Sequence, residues 1–127
     1  MRIMLNGKIH RARITDVNLD YEGSITIDRK LMEAADILEY EQVQVLDVNN
    51  GSRFATYAIE GQEGSGEICV NGAAARMVAK GDTVIILTYN HVSDEEARNY
   101  APIVVSVNAK NEITNVKREV KAHTLVE

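Results

Sequence analysis

Turn residues interrupt the sequence at short intervals, and valine, isoleucine and threonine dominate the segments between them. Such a pattern is typical of short strands, because β-branched side chains fit a pleated sheet. We predict strands over residues 1–5, 9–17, 24–27, 43–48, 54–59, 68–70, 84–87 and 103–107. The turn at 49–51 predicts a hairpin between the fourth and fifth of these strands. The run 84–87 does not alternate, so we expect it to be buried on both faces.

Helices are few and short in the same pattern. Asp28 is a suitable N-cap for a helix over 29–38, and Asn71 for a brief turn over 72–75. Ser93 and Glu96 have the spacing of a capping box. The predicted apolar face of the first helix consists of Leu31, Ala34, Ala35 and Leu38. Many short strands with three small helices, and no linker, predict one mainly β domain over 1–127, a closed or nearly closed barrel.

Charge and composition exclude several classes of function. Nineteen acidic and fourteen basic residues give a net charge of −5, and the aromatic residues are five tyrosines and one phenylalanine. A nucleic-acid-binding barrel needs a basic groove with stacking aromatics, so we expect no nucleic-acid partner. No apolar run approaches the roughly 20 residues of a membrane span. The single cysteine, Cys69, fits a reducing compartment, and we expect a soluble cytoplasmic protein.

The sequence offers little support for metal or nucleotide chemistry. His10, His91 and His123 lie far apart, so we expect no metal site. Cys69 lies in an apolar strand and is interpreted as a buried, inert thiol. The glycines of residues 61–66 resemble a phosphate loop, but acidic residues flank them on both sides. They are better interpreted as a flexible hairpin tip.

The pair Gly23-Ser24 allows two interpretations. Between two strands it is typical of a tight turn. Alternatively, it is a self-cleavage site, because a serine hydroxyl can attack the preceding carbonyl when the backbone is held in an unusual conformation. A glycine before the serine permits that conformation and leaves the carbonyl open to attack.

Further segments match one known family in order and separation. These are 5–11, 21–28, 50–59, 70–75, 80–86 and 94–98. Together they resemble the bacterial aspartate 1-decarboxylase family, and the resemblance runs from about residue 1 to residue 98. Leu46 departs from the pattern, since some relatives carry tryptophan there.

The resemblance implies an inactive precursor, a zymogen, that cuts itself. Ser24 attacks the Gly23 carbonyl, and elimination and hydrolysis leave a pyruvoyl group in place of Ser24. The products would be a β-chain of residues 1–23 and an α-chain of residues 24–127. Thr56 would stabilise the oxyanion during this processing. The resemblance leaves open whether Ser24 matures unaided or with an activating protein.

The resemblance also implies a lyase that forms a Schiff base between L-aspartate and the pyruvoyl group, with neither metal nor pyridoxal phosphate. Tyr57 would be the proton donor, Arg53 would hold a substrate carboxylate, and Lys8 would line the same pocket. The remaining implied residues are Gly72, Ala73 and Ala74, whose backbone would contact substrate, and Asn71 and Tyr21 as supporting groups. His10 lies in a matching motif, but we assign it no catalytic role.

The fold implied by the resemblance is a six-stranded double-psi β-barrel with short helices. It would assemble as a homotetramer with its sites between subunits, and its product, β-alanine, would feed pantothenate and coenzyme A synthesis. Thr56 and Tyr57 are consecutive, so on a regular strand they would point to opposite faces. Either a local distortion or a site between subunits must reconcile them. The alternative function is a non-catalytic barrel, which would need neither Gly23-Ser24 nor this pair.

Overall fold

The computed structural model describes residues 1–120 and 122, and within them the chain is mainly β with short helices, as predicted. The C-terminal end, including His123, lies outside the described residues. The helices are α1 (Arg29–Ala35), α2 (Asp94–Ala97) and a 3₁₀ helix, Gly72–Arg76. The strands are β1 (Arg2–Arg13), β2 (Asp16–Asn18), β3 (Ser24–Asp28), β4 (Gln42–Asp47), β5 (Arg53–Gly61), β6 (Ile68–Asn71), β7 (Thr83–Val92), β8 (Ile103–Val107) and β9 (Ile113–Lys117).

The strands form one sheet in the order β2-β6-β3-β5-β4-β7-β1-β8-β9. Strand β3 lies between β5, to which it is parallel, and β6, to which it is antiparallel. The predicted hairpin is confirmed, because β4 and β5 pair antiparallel across the turn at 49–51. Segment 61–67 is not the predicted hairpin tip, since the strands on either side of it pair with β3 and not with each other.

The core lies on one face of these strands. Ile25 and Ile27 of β3, Val45 of β4 and Ile86 of β7 are completely buried. We call the opposite side the outer face; Ile85 and Leu87 of β7 lie there and are only half-buried. The prediction that 84–87 is buried on both faces was therefore wrong, because no second layer of the described chain covers the outer face of β7.

The N-terminal strand is longer than predicted. Residues 6 and 7 do not form a turn, and β1 runs through them with a register shift between Leu5 and Gly7. Gly7 is needed for packing, because a Cβ there would collide with the carbonyl oxygen of Ala35 at the end of α1. The Asn6-Gly7 pair thus marks a close approach between β1 and the end of α1, and the chain does not reverse there.

Helix α1 begins as predicted but ends early. The Asp28 side chain accepts a hydrogen bond from the Lys30 N–H at 2.9 Å and caps the first turn. Asp36 then adopts the left-handed conformation and ends the helix after Ala35. Consequently Leu38, predicted on the apolar face, is 71% exposed, and Met32 is buried in the core. The periodicity could not reveal this stop, since Asp36 replaces the glycine usual there.

The remaining elements are helix α2, which begins at its predicted cap, and strand β9. Ser93 caps α2 by accepting from the Glu96 N–H, and its hydroxyl donates to the Glu96 carboxylate at 3.0 Å. Strand β9 pairs with β8 and was not predicted from the sequence. Its polar, weakly alternating residues resemble a loop, and only pairing with β8 makes it a strand.

Candidate active site

Ser24 is the first residue of β3, and its pairing positions it firmly. It lies opposite Asn71 of β6 in the antiparallel ladder and is only 6% exposed. Gly23, Glu22 and Tyr21, immediately before it, are exposed. The junction between exposed chain and buried strand therefore falls at the Gly23–Ser24 peptide bond.

The Asn71 side chain connects Ser24 to its neighbours. Its amide nitrogen donates to Ser24 Oγ at 3.0 Å and to Thr26 Oγ1 at 3.1 Å. Asn71 stands at the N-cap position of the 3₁₀ helix but makes no side-chain capping bond. The predicted capping role was therefore wrong, because the amide nitrogen is turned toward the two hydroxyls and Oδ1, the atom that would accept from the helix N–H groups, accepts from Cys69 Sγ instead. Thr26 was missed from the sequence, where nothing distinguished it from other strand threonines.

The Ser24 hydroxyl points back along the chain. It donates to the Glu22 carbonyl oxygen over 3.4 Å, a long and weak hydrogen bond. Ser24 Oγ thus accepts a shorter bond from Asn71 and keeps its own hydrogen on the side of residues 22 and 23. This arrangement places a lone pair and a proton of the hydroxyl near the peptide bond that precedes it.

The start of the 3₁₀ helix packs directly on Gly23. Gly72 has a φ of +74°, and a Cβ there would lie 2.7 Å from Gly23 Cα and 2.8 Å from Gly23 N. Only glycine permits both the conformation and this approach. Gly23 itself has open space around the position of a Cβ. Ala73 is exposed and Ala74 half-buried, so part of this small-residue segment faces solvent.

Tyr57 lies on the same face as Ser24. The parallel pair Ile25–Ala58 has both side chains in the core, so the preceding residues, Ser24 and Tyr57, belong to the outer face. Thr56 pairs with buried Val43 and belongs to the core side. The β4–β5 ladder contains no register shift, so the strand is regular and the two predicted residues do point to opposite faces.

Arg53 and Lys8 share the outer face but stand apart from Ser24. Arg53 precedes Tyr57 by four residues on β5, about 13 Å at the ordinary strand rise. Its Cα partner is Leu46, the residue that departs from the family pattern. Lys8 pairs with Leu87 of β7, and three strands separate β1 from β3 in the sheet order. Within one chain, the structure therefore brings Ser24, Asn71 and Gly72 together but not the two cations.

A cluster of positive charge surrounds Lys8. Burial and the nearby charge of Lys117 lower the pKa of Lys8. Burial, Lys8, Arg11 and Lys117 together lower the pKa of His10 to about 4. His10 Nδ1 is buried and has no hydrogen-bond partner among the described residues. His10 is therefore neutral at pH 7, a state that its sequence context did not predict.

Within residues 1–120 and 122, no group of three or more His, Cys, Asp or Glu side chains could hold a metal ion. The helices of this part of the chain are also too short and too polar to cross a membrane. Cys69 is buried, as expected, and burial raises the pKa of its thiol, with smaller contributions from Asp16 and Glu67.

Comparisons with known proteins agree on one family. The aspartate decarboxylase family profile matches residues 1–114. An aspartate 1-decarboxylase of Thermoanaerobacter pseudethanolicus is 59% identical over 91% of this chain and 98% of its own length. One from Syntrophus aciditrophicus is 61% identical over 88% and 97%. One from Listeria monocytogenes is 54% identical over 97% of both chains. On these matches, the chain belongs to the aspartate decarboxylase family.

Proposed function

We propose that this protein is a pyruvoyl-dependent aspartate 1-decarboxylase, which converts L-aspartate to β-alanine and CO₂ and supplies pantothenate and coenzyme A synthesis. The observation that carries the proposal is the setting of Ser24. Its hydroxyl is buried, fixed by Asn71 and turned toward an exposed glycine segment. A tight turn would need none of these features. The precursor cuts itself between Gly23 and Ser24 into chains 1–23 and 24–127.

The processing uses groups on both sides of β3. Ser24 Oγ attacks the Gly23 carbonyl carbon, the Gly23–Ser24 C–N bond breaks to leave an ester, and the hydroxyl proton passes to the Ser24 nitrogen. Asn71 Nδ2, 3.0 Å from Ser24 Oγ, stabilises the negative charge that Oγ gains during the attack. Gly72 holds Gly23 by close contact and limits its movement. Thr56 serves the Gly23 carbonyl from the core side of β5. Its separation from Tyr57 onto the other face supports a division of work, with Thr56 in maturation and Tyr57 in turnover.

The residues around Ser24 fit a pyruvoyl group. Asn71 offers a buried amide donor, and the glycine on its C-terminal side leaves room at the cleavage point. Asn71, Gly72 and Tyr57 would hold the group, which supplies an electron sink for the pair released when the α-carboxylate leaves. Tyr57 delivers the proton that replaces this carboxylate on the substrate α-carbon. Tyr21 lines the entrance, and Ala73 and Ala74 present backbone to the substrate.

A homotetramer explains why the cations stand apart in one chain. Arg53 and Lys8 lie on the outer face, and a neighbouring subunit would bring them to Ser24. Arg53 then holds the substrate's second carboxylate with its guanidinium fork, while Lys8 adds positive charge. The outer face suits such an assembly, because Ile3 and Tyr89 are exposed there beside a groove of about 250 Å³.

The strand order also supports the six-stranded double-psi barrel. Strands β1 and β2 are successive parts of one run, separated by two residues, and occur near opposite ends of the sheet order. If β1 and β2 are counted as one continuous strand, this strand would close the sheet into a ring of six strands. The other five are β6, β3, β5, β4 and β7. The cytoplasmic location remains a prediction.

Intact-mass measurement under denaturing conditions tests the proposal. We expect two chains, 1–23 and 24–127, the larger one lighter by the mass of one ammonia than a chain that starts with serine. The matched variant Ser24→Ala lacks the attacking hydroxyl, so it should stay uncut and inactive with an unchanged fold by circular dichroism. Decarboxylation of L-aspartate by Ser24→Ala would contradict the mechanism. A non-catalytic barrel would leave the wild-type chain uncut even after warm incubation with cell extract.

A further inference from the structure

The hydrogen-bond network around Ser24 extends one residue further than the proposed chemistry requires. Cys69 precedes Asn71 by two residues on β6 and shares its outer face. Its Sγ lies 3.3 Å from Asn71 Oδ1 and donates to it, while Asn71 Nδ2 donates to Ser24 and Thr26. Cys69 therefore contacts the oxygen end of the same amide whose nitrogen end contacts the nucleophile.

We infer that Cys69 is a positioning residue for self-cleavage, which fixes the orientation of the Asn71 amide and thereby the direction of the Ser24 hydroxyl proton. The inference rests on the proposed cleavage at Gly23–Ser24. Cys69 makes no hydrogen bond to Gly23 or Ser24 and acts only through Asn71. The sequence pattern indicates an inert packing role for the Cys69 thiol, whereas the structure gives it a role in positioning Asn71 for cleavage.

The orientation of the Asn71 amide depends on a group other than the two hydroxyls that it contacts. The hydroxyls of Ser24 and Thr26 can each donate or accept, so both would tolerate either end of the Asn71 amide. A thiol donor favours the oxygen end, whereas a thiolate would favour the nitrogen end. Burial raises the pKa of Cys69, which keeps its sulfur protonated at neutral pH. The S–H donor therefore fixes the direction of this network, and only the long bond from the Ser24 hydroxyl to the Glu22 carbonyl acts in the same sense.

The orientation changes what the nucleophile can do. In the observed arrangement Ser24 Oγ accepts from Asn71, and its own hydrogen lies toward Glu22. A reversed amide would instead accept the Ser24 hydrogen and draw it away from residues 22 and 23. It would also remove the donor that stabilises negative charge on Oγ during attack. Cleavage should therefore slow when the thiol donor is lost, even though the fold survives.

Cys69→Ala and Cys69→Ser provide a matched pair. The two replacements leave nearly the same space, but only serine keeps a donor for Asn71 Oδ1. Cell-free synthesis of each chain, with samples taken over time and separated on denaturing gels, measures the cleavage rate directly. Thermal unfolding of the uncut Ser24→Ala protein, with each Cys69 replacement added, measures the cost of the cavity alone.

We expect Cys69→Ala to cleave about fivefold more slowly, because the buried Asn71 Oδ1 is left without a donor, and Cys69→Ser to stay within about twofold of wild type. The two replacements should lower the melting temperature about equally. Equal rates for Cys69→Ala and wild type would overturn the inference, as would equal slowing by Ala and Ser, which would indicate lost volume. An uncut wild-type chain would overturn the proposed function itself and this inference with it.

Discussion

The two ends of strand β3 are built in opposite ways. At its C-terminal end, Asp28 accepts hydrogen bonds from the backbone N–H groups of Lys30, Gly64 and Gly66, each at 2.9 Å. At its N-terminal end, Ser24 has one good bond to a side chain and one long bond to Glu22. A strand of five residues thus joins a fully anchored corner to a junction with exposed chain.

The difference separates stability from chemistry. The Asp28 end ties α1 and segment 61–67 to β3 through a buried carboxylate. The Ser24 end keeps its hydroxyl buried but leaves the preceding glycine exposed. A peptide bond that is to be broken must be accessible, whereas the strand that carries the nucleophile must be held in place. One short strand meets both needs by anchoring only one of its ends.

The largest effect is expected from Asp28→Ala, at the anchored end. Three N–H groups lose their acceptor, two of them in the glycine segment, so the free energy of unfolding should fall by about 3 kcal/mol. Urea denaturation of the uncut Ser24→Ala background measures this. Asp28→Asn keeps one oxygen and should lose less than half as much. If Asp28→Ala instead left stability unchanged, the anchoring role of this end would be wrong.

Tyr57→Phe tests the chemical role of the Ser24 end of β3. The variant retains Ser24, Asn71 and Thr56, so it should mature normally, but turnover should fall roughly 100-fold because the proton donor is missing. Steady-state release of CO₂ from L-aspartate, normalised to the cleaved chain found by mass, gives the comparison. Turnover equal to wild type would remove Tyr57 as the donor.

Gly72→Ala should damage the Ser24 end through contact. A methyl group there meets Gly23 at 2.7 Å in addition to the cost of a positive φ, so we expect roughly tenfold slower cleavage and a loss of about 2 kcal/mol. Gly51→Ala is the control, since Gly51 has a φ of +77° but open space around it. It should lose only about 1 kcal/mol and cleave normally. Matching cleavage rates for the two variants would argue against the contact.

The smallest expected effect is that of low pH on stability through His10, which lies on β1, away from both ends of β3. The pKa of His10 is about 4 in the folded protein, below its ordinary 6.5, so the unfolded chain binds more protons between these values. Stability should therefore fall as the pH is lowered from 6.5 toward 4, but only by a few degrees in melting temperature, because His10 is half-buried and solvent screens its charge. His10→Phe should show a flatter decline. An imidazole titration midpoint near 6.5 by NMR would contradict this.

Much of the framework was predictable, and the exceptions are instructive. Local patterns predicted β3, the β4–β5 hairpin and the Asp28 cap, because strand propensity, turn residues and capping act over a few neighbours. They failed at Asn6-Gly7 and at Asn71, where partners far along the chain decided the outcome: Ala35 over Gly7, and Ser24 and Thr26 on the Asn71 amide nitrogen. They failed at Leu38 because Asp36, with its positive φ, ended the helix early.

The sequence by itself determined the family, the candidate nucleophile and the mainly β architecture, since short motifs and two-residue periodicity are properties of neighbouring residues. Only the tertiary structure decided which of these residues meet. It set Asn71 between Ser24 and Cys69, and it separated Thr56 from Tyr57 by the regular pleat of β5. It also left Lys8 and Arg53 away from Ser24 within one chain. Strand register, fixed by core packing across the sheet, makes these choices, and no local segment of the sequence contains it.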